Sequence, residues 1–153
     1  MANTYTQIHI HFVFAVKYRQ AAIHESWKNE LYKYISGIIK NHNHKLLGIN
    51  GMADHVHILI GIRPAQSISD LMKTIKQNSS KWINENKFTA THFEWQEGYG
   101  AFSYSKSQLS AVINYIELQE QHHKRKSFKE EYISFLEKFE VDYDEKFIFK
   151  ELI

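Results

Sequence analysis

Gly51-Met-Ala-Asp-His-Val-His-Ile-Leu-Ile-Gly61 is the stretch from which the rest of this 153-residue chain can be read. His55, Val56 and His57 alternate polar, apolar, polar inside a run that is otherwise aliphatic. Successive side chains of a strand point to opposite faces. A strand here sends His55 and His57 to one face and Val56, Ile58 and Ile60 to the other. Two neutral imidazoles side by side on a rigid strand can offer lone pairs to one divalent metal. The same spacing suits two solvent-facing histidines on an antiparallel strand, and the pair alone does not choose between the two.

The neighbouring segments supply a sheet and helices around this strand. Lys45 to Asn50 reads as a short strand and Gly51 to Asp54 as the turn of a hairpin, which Arg63-Pro64-Ala65-Gln66 closes. Tyr5 to Val16 alternates, with Ile8, Ile10, Phe12, Phe14 and Val16 on one face and Gln7, His9, His11, Val13 and Ala15 on the other. His9 and His11 form a second histidine pair. Nothing beside them suggests a site, so they are expected to share the sheet surface of His55 and His57 without a part in its chemistry. Lys17-Tyr18-Arg19 reads as a solvated turn. Ser26 to Lys40 is helical, with Trp27, Leu31, Tyr34, Ile35 and Ile38 on one face.

Ser67 and Asp70 form a capping box that opens another helix. Its apolar face carries Ile68, Leu71, Met72, Ile75, Trp82 and Ile83. Lys73, Lys76, Gln77, Ser80, Asn84 and Lys87 lie opposite. Such a strip is usually the wet side of a helix, and it is also what a phosphate backbone meets. Phe93 to Gln96 and Tyr99 to Tyr104 read as extended segments around Gly98 and Gly100. Ser105 to Gln108 then caps a helix that runs to about His123, with Leu109, Val112, Ile113 and Ile116 as its apolar stripe. Tyr115, Gln119 and His122 share its flank, Tyr115 and Gln119 as i, i+4 neighbours. The cations Lys124, Arg125 and Lys126 close it, where they suit the helix dipole or a phosphate. Ser127 to Phe139, again with a capping box, is a last helix. The tail from Val141 to Ile153 has no clear pattern.

Composition narrows the function classes. The chain has no cysteine, which excludes disulfides, thiolate metal sites and cysteine nucleophiles. Its formal net charge of +2 does not by itself announce nucleic acid. No apolar run approaches the ~20 residues of a membrane helix. The N-terminus lacks a basic head and an apolar signal core, so a single cytoplasmic domain over residues 1–153 is expected.

Four blocks together resemble a known family: Met52 to Ile60, Asn78 to Asn84, Trp95 to Phe102, and Tyr115-Ile-Glu-Leu-Gln119 followed by His122-His123. Their order and spacing are similar to the single-tyrosine HUH transposases of insertion sequences, including the repeat-associated tyrosine transposases. Ala53 stands at a turn position where that family typically has proline. The resemblance implies an α+β fold, a ferredoxin-like or RRM-like antiparallel sheet packed against helices. It implies that His55, His57 and Gln119 hold Mg²⁺ or Mn²⁺, and that Tyr115 attacks single-stranded DNA to form a covalent 5′-phosphotyrosine. The implied partners are hairpin-forming element ends and a second copy of the chain. In that homodimer the Tyr115 helix is expected to reach the partner's histidines through a flexible Gly98–Ser105 connection. Lys73, Lys76, Lys124, Arg125 and Lys126 are the expected DNA-binding residues. The alternative is a module of the same fold that binds hairpin DNA or RNA without cutting it.

Overall fold

The computed structural model describes residues 3–144 and 148. Its centre is a four-stranded antiparallel sheet in the order β2-β3-β1-β4. The strands are β1 (His9–Ala15), β2 (Lys45–Met52), β3 (His55–Gly61) and β4 (Gly100–Tyr104). Helix α1 (Glu25–Asn41) joins β1 to β2, and α2 (Ile68–Glu85) follows β3. After β4 come α3 (Leu109–Glu117), the short α4 (Gln119–His122) and α5 (Phe128–Lys138). The βαββαβ order with this strand arrangement is the expected ferredoxin-like α+β fold, extended by helices on the second face of the sheet.

The alternation along β1 and β3 decides which helices each face receives. Ile10, Phe12 and Phe14 from β1 and Val56, Ile58 and Ile60 from β3 form one core with α1 and α2. Phe12 pairs with Ile58 across the two strands. Burying each aliphatic side chain of this kind contributes roughly 1.5–3 kcal/mol. Val13, Ala15 and Leu59 point the other way and pack with Phe102 and Tyr104 of β4 and with α3 and α5. His55 and His57 share that second face.

Two departures from the sequence expectation involve identifiable contacts. The hairpin turn is shorter than Gly51 to Asp54, because β2 continues to Met52 and only Ala53 and Asp54 turn. Gly51 is needed as a strand residue, since a Cβ there would run into the His55 carbonyl oxygen. The helix expected to reach His123 breaks at Leu118, whose φ and ψ are −95° and 24°. Asn50 of β2 donates to the carbonyls of Ile116 and Glu117, at 3.0 and 3.3 Å, and so takes up acceptors at the end of α3.

The segment between α2 and β4 is pinned rather than free. Val16 bridges to Trp95, and the Trp95 indole donates to Ser79 Oγ at 2.9 Å. Lys76 Nζ donates to the Gln96 carbonyl at 2.7 Å and also to that of Gly98. Gly98 has φ +83°, a left-handed conformation that favours glycine. The connection expected to be flexible therefore contains a strand, β4, paired to β1.

Candidate metal centre and tyrosine site

His55 and His57 are both fully buried beneath α3, α4 and α5, so they are not a solvent-facing pair. The break at Leu118 turns the chain so that Gln119 enters the interior, where it too is fully buried. Its Oε1 stands 3.1 Å from His55 Nε2 and 3.1 Å from His123 Nε2. From the first turn of α5 comes Glu131, also buried. The capping box of Ser127 and Glu130 fixes the start of that helix and hence the direction in which Glu131 leaves it.

Glu131 is the hub of the cluster. Its Oε1 lies 2.9 Å from His57 Nε2 and 3.1 Å from His123 Nε2, and its Oε2 accepts from Gln119 Nε2 at 3.3 Å. The Tyr115 hydroxyl donates to the same Oε2. His122 stacks on the Tyr115 ring at 4.4 Å, and Phe128 stacks on His55 at 4.1 Å. Tyr115, His55, His57 and Gln119, named from the sequence, are thus gathered in one place within one chain.

The hydrogen-bond partners set the ring tautomers. A carboxylate only accepts, so neutral His57 carries its proton on Nε2, toward Glu131. His57 Nδ1 then accepts from His11 Nε2 at 2.8 Å, which leaves His11 Nδ1 bare, buried and without a partner. Asp54 Oδ1 accepts from His55 Nδ1 at 2.7 Å, which turns the His55 Nε2 lone pair into the cluster. That lone pair faces the Gln119 carbonyl oxygen, another acceptor. Two acceptors confronting each other at hydrogen-bond distance repel unless a proton or cation lies between them.

These groups fit a divalent metal. Ligand atoms of His55, His57, His123 and Glu131 all lie within 4.8 Å of one another. Imidazole nitrogens with an amide and a carboxylate oxygen make a mixed N/O donor set that suits a first-row or magnesium-like ion. Asp54 supplies the outer partner that orients a ligating histidine. For His57 to ligate through Nε2, its ring proton must move to Nδ1, facing His11.

Burial favours the neutral His57 ring that a metal needs. Burial lowers the His57 pKa to about 4, against the opposing pull of Glu131. Burial likewise holds His11 well below its ordinary value, aided by His57. Burial opposes ionisation of Glu131, yet hydrogen bonds from His123, His57 and Tyr115 hold it well below the usual carboxylate range. Burial also disfavours a charged His123, but the Glu131 carboxylate outweighs this and raises its pKa. Tyr115 is pushed well above its ordinary value by burial and then by Glu131.

Acid is therefore expected to loosen the fold. An unfolded His57 binds its proton near pH 6.5, whereas the folded one does so near 4, so stability is full above about 6.5 and falls between the two. His11 has the same sign, and protonation of Glu131 adds a loss further below its ordinary 4.5. His123 runs the other way, its contribution being lost as pH rises through its raised pKa. The thermal midpoint should be lower at about pH 5 than at about pH 7.5. A flat profile would show that His57 and His11 are not held neutral by burial.

The sequence reading missed His11, Asp54, His123 and Glu131. Asp54 and His123 lay inside the quoted blocks, and His11 was set aside as bystander. Glu131 left no signal, because an acidic residue in the first turn of a helix is already explained by the helix dipole. Of the expected DNA-binding residues, Lys124, Arg125 and Lys126 are exposed in the turn between α4 and α5, beside the site. Lys73 is exposed on α2, across the sheet from Tyr115, in a groove of about 860 Å³ that also carries Glu94 and Glu97. Lys76 is instead committed to backbone carbonyls, and burial lowers its pKa to about 8.

A family model described as transposase IS200 like matches residues 4–119. The chain is 29% identical over 124 residues to the transposase for insertion sequence element IS200 of Salmonella typhimurium, covering 78% of this chain and 81% of that one. It is 25% identical over 119 residues to the ISDra2 transposase TnpA of Deinococcus radiodurans, covering 74% and 84%. The fold matches that of a REP-associated tyrosine transposase bound to a REP hairpin, with a TM-score of 0.61 and 12% identity, over 80% of this chain and 73% of that one.

Proposed function

We propose that this chain, which belongs to the IS200-like transposase family, cuts and rejoins single-stranded DNA through a covalent bond to Tyr115. The observation that carries this reading is the convergence of the Tyr115 hydroxyl with His55, His57 and Gln119 at one buried point. The proposed ligands are His55, His57 and Gln119, joined by Glu131 or His123, and the proposed ion is Mg²⁺ or Mn²⁺. Bound there, the cation polarises the scissile phosphate and offsets the negative charge that develops on it.

The remaining chemistry falls to the side chains. Tyr115 Oη bonds to phosphorus, the bond from phosphorus to the 3′ oxygen breaks, and a 5′-phosphotyrosine and a 3′-hydroxyl result. Tyr115 must lose its proton and the leaving oxygen must gain one. Glu131 holds the tyrosine hydrogen at the start and marks where that proton departs. The phosphoester is exchanged rather than hydrolysed, so rejoining needs no nucleotide cofactor. The test is a denaturing gel with labelled single-stranded hairpin DNA and Mg²⁺. A covalent protein–DNA band supports the reading; a shift in native gels without that band makes the chain a hairpin-binding module.

Hairpin ends are the proposed DNA partners, held mainly through phosphates. Replacing Lys124, Arg125 and Lys126 with alanine should weaken binding across sequences. It should also flatten the salt dependence by about 0.7 for each phosphate that is no longer neutralised. Lys76→Ala should act differently, lowering the melting temperature through the 96–98 segment with little change in salt slope. An unchanged slope in the triple variant would leave that turn as solvated surface.

A homodimer is the proposed assembly, because excising an element needs cuts at two ends and one chain carries one such tyrosine. The site itself is proposed to lie within each chain, not across two. Tyr115 already stands beside its own chain's His57, with ring centroids 6.0 Å apart.

A further inference from the structure

Between β4, α3 and α5 a cavity of about 350 Å³ opens against Tyr115 and Glu131, and the cleavage chemistry proposed above makes no use of it. Its volume is in the ~300–1,000 Å³ range of pockets that hold small ligands. Its lining includes His11, Tyr104, Phe135 and Ala111, with Lys126 and Lys138 among the other residues.

We propose that this cavity holds the nucleobase adjacent to the scissile phosphate, so that the protein itself contacts one nucleotide at the cut. The inference rests on the cleavage reading, and four features support it. Tyr115 belongs to both places, so a strand with its phosphate at Tyr115 has a neighbouring nucleotide within reach of the cavity. Tyr104 and Phe135 supply aromatic surface, which unpaired bases use because every base has a π-face. His11 is fully buried in the lining with its Nδ1 unpartnered, an orphan polar atom that a base edge can satisfy. Lys126 and Lys138 place positive charge where the flanking phosphates of that nucleotide pass.

The cavity can be filled from two sides by replacing residues that take no part in the cleavage chemistry. Ala111 on α3 and Ser134 on α5 both line it and neither is buried, so Ala111→Trp and Ser134→Trp should fold normally; Ser134 accepts from Lys126 Nζ at 2.6 Å, so Ala111→Trp is the variant that leaves Lys126 undisturbed. The first readout needs no cleavage. Saturation-transfer NMR with the four deoxynucleoside monophosphates should show transfer to base protons in the unaltered protein, and both variants should lose most of it. The second uses hairpin oligonucleotides in which each nucleotide flanking the mapped cut is made abasic in turn. One abasic position should slow adduct formation roughly five- to 150-fold in the unaltered protein, the range that base–aromatic contact is worth. In the two variants that position should matter little. Adducts that form equally well with either flank abasic, or a flank dependence that persists in both variants, would overturn the proposal. Base transfer that the variants abolish, with no adduct from any hairpin, would sink the cleavage reading and leave a nucleotide site. Neither transfer nor adduct would overturn both.

Discussion

Tyr115→Phe should abolish the covalent adduct while leaving hairpin affinity within about twofold. The ring stays, with its stacking on His122, and only the hydroxyl that meets Glu131 is removed. Losing that hydroxyl also frees one Glu131 oxygen from a partner. Gln119 Nε2 still reaches that oxygen, so the stability cost should stay near the ~1 kcal/mol of one hydrogen bond. The measurement is the denaturing gel for the adduct, paired with a native-gel titration for binding. Other tyrosines are poorly placed to compensate: Tyr99 packs against Phe12 on the opposite side of the sheet. Tyr104 is buried on β4, and burial pushes its pKa up to about 12. An adduct that survives in Tyr115→Phe would move the nucleophile elsewhere, with Tyr132 on α5 the first to test.

His55→Ala and His57→Ala should each lower metal-dependent cleavage by on the order of 10²–10³-fold or more, the scale of removing one group that stabilises developing charge. His57→Ala should be the more damaging to the fold. It strips His11 Nε2 of its buried partner, an orphan that costs about 1–3 kcal/mol, while Glu131 Oε1 keeps His123 as a partner. Titration of Mn²⁺ followed by its paramagnetic resonance separates lost metal from lost fold, provided circular dichroism is recorded on the same samples. Mixing His57→Ala chains with Tyr115→Phe chains then tests where the site is built. An in-chain site leaves every site in the mixed dimer with a defect, so the mixture stays dead. Recovery of cleavage would mean that Tyr115 serves the histidines of its partner.

The sheet and the shared face of His55 and His57 were legible in the sequence for one physical reason: both are written in periodicity. Alternation along β1 and β3 sorts the aliphatic side chains from the histidines, and the caps at Ser67 and Ser127 mark where helices begin. Tyr115 and Gln119 were singled out by the resemblance, and the single helix that spacing draws through both breaks between them at Leu118. What periodicity does not carry is the meeting of distant segments. Glu131 reaches His57 across 74 positions, and only the docking of α5 makes that contact. The break at Leu118 is similar, because the carbonyls at the end of α3 are taken up by Asn50 on another strand. His11 was expected on the face of His55 and His57, but its contact with His57 was not legible, since the β1–β3 register that allows it is a tertiary fact.

β3 is read from both sides, and this limits how the chain can vary. Val56, Ile58 and Ile60 anchor the α1–α2 core, while His55 and His57, one residue out of phase, face the Glu131 cluster. A slip of a single residue against β1 would exchange the two sets. It would push imidazoles into the aliphatic layer and leave the face beneath Glu131 lined with methyl groups. Stability and chemistry therefore cannot drift apart on this strand, and a length change in the Ala53–Asp54 turn threatens both at one stroke.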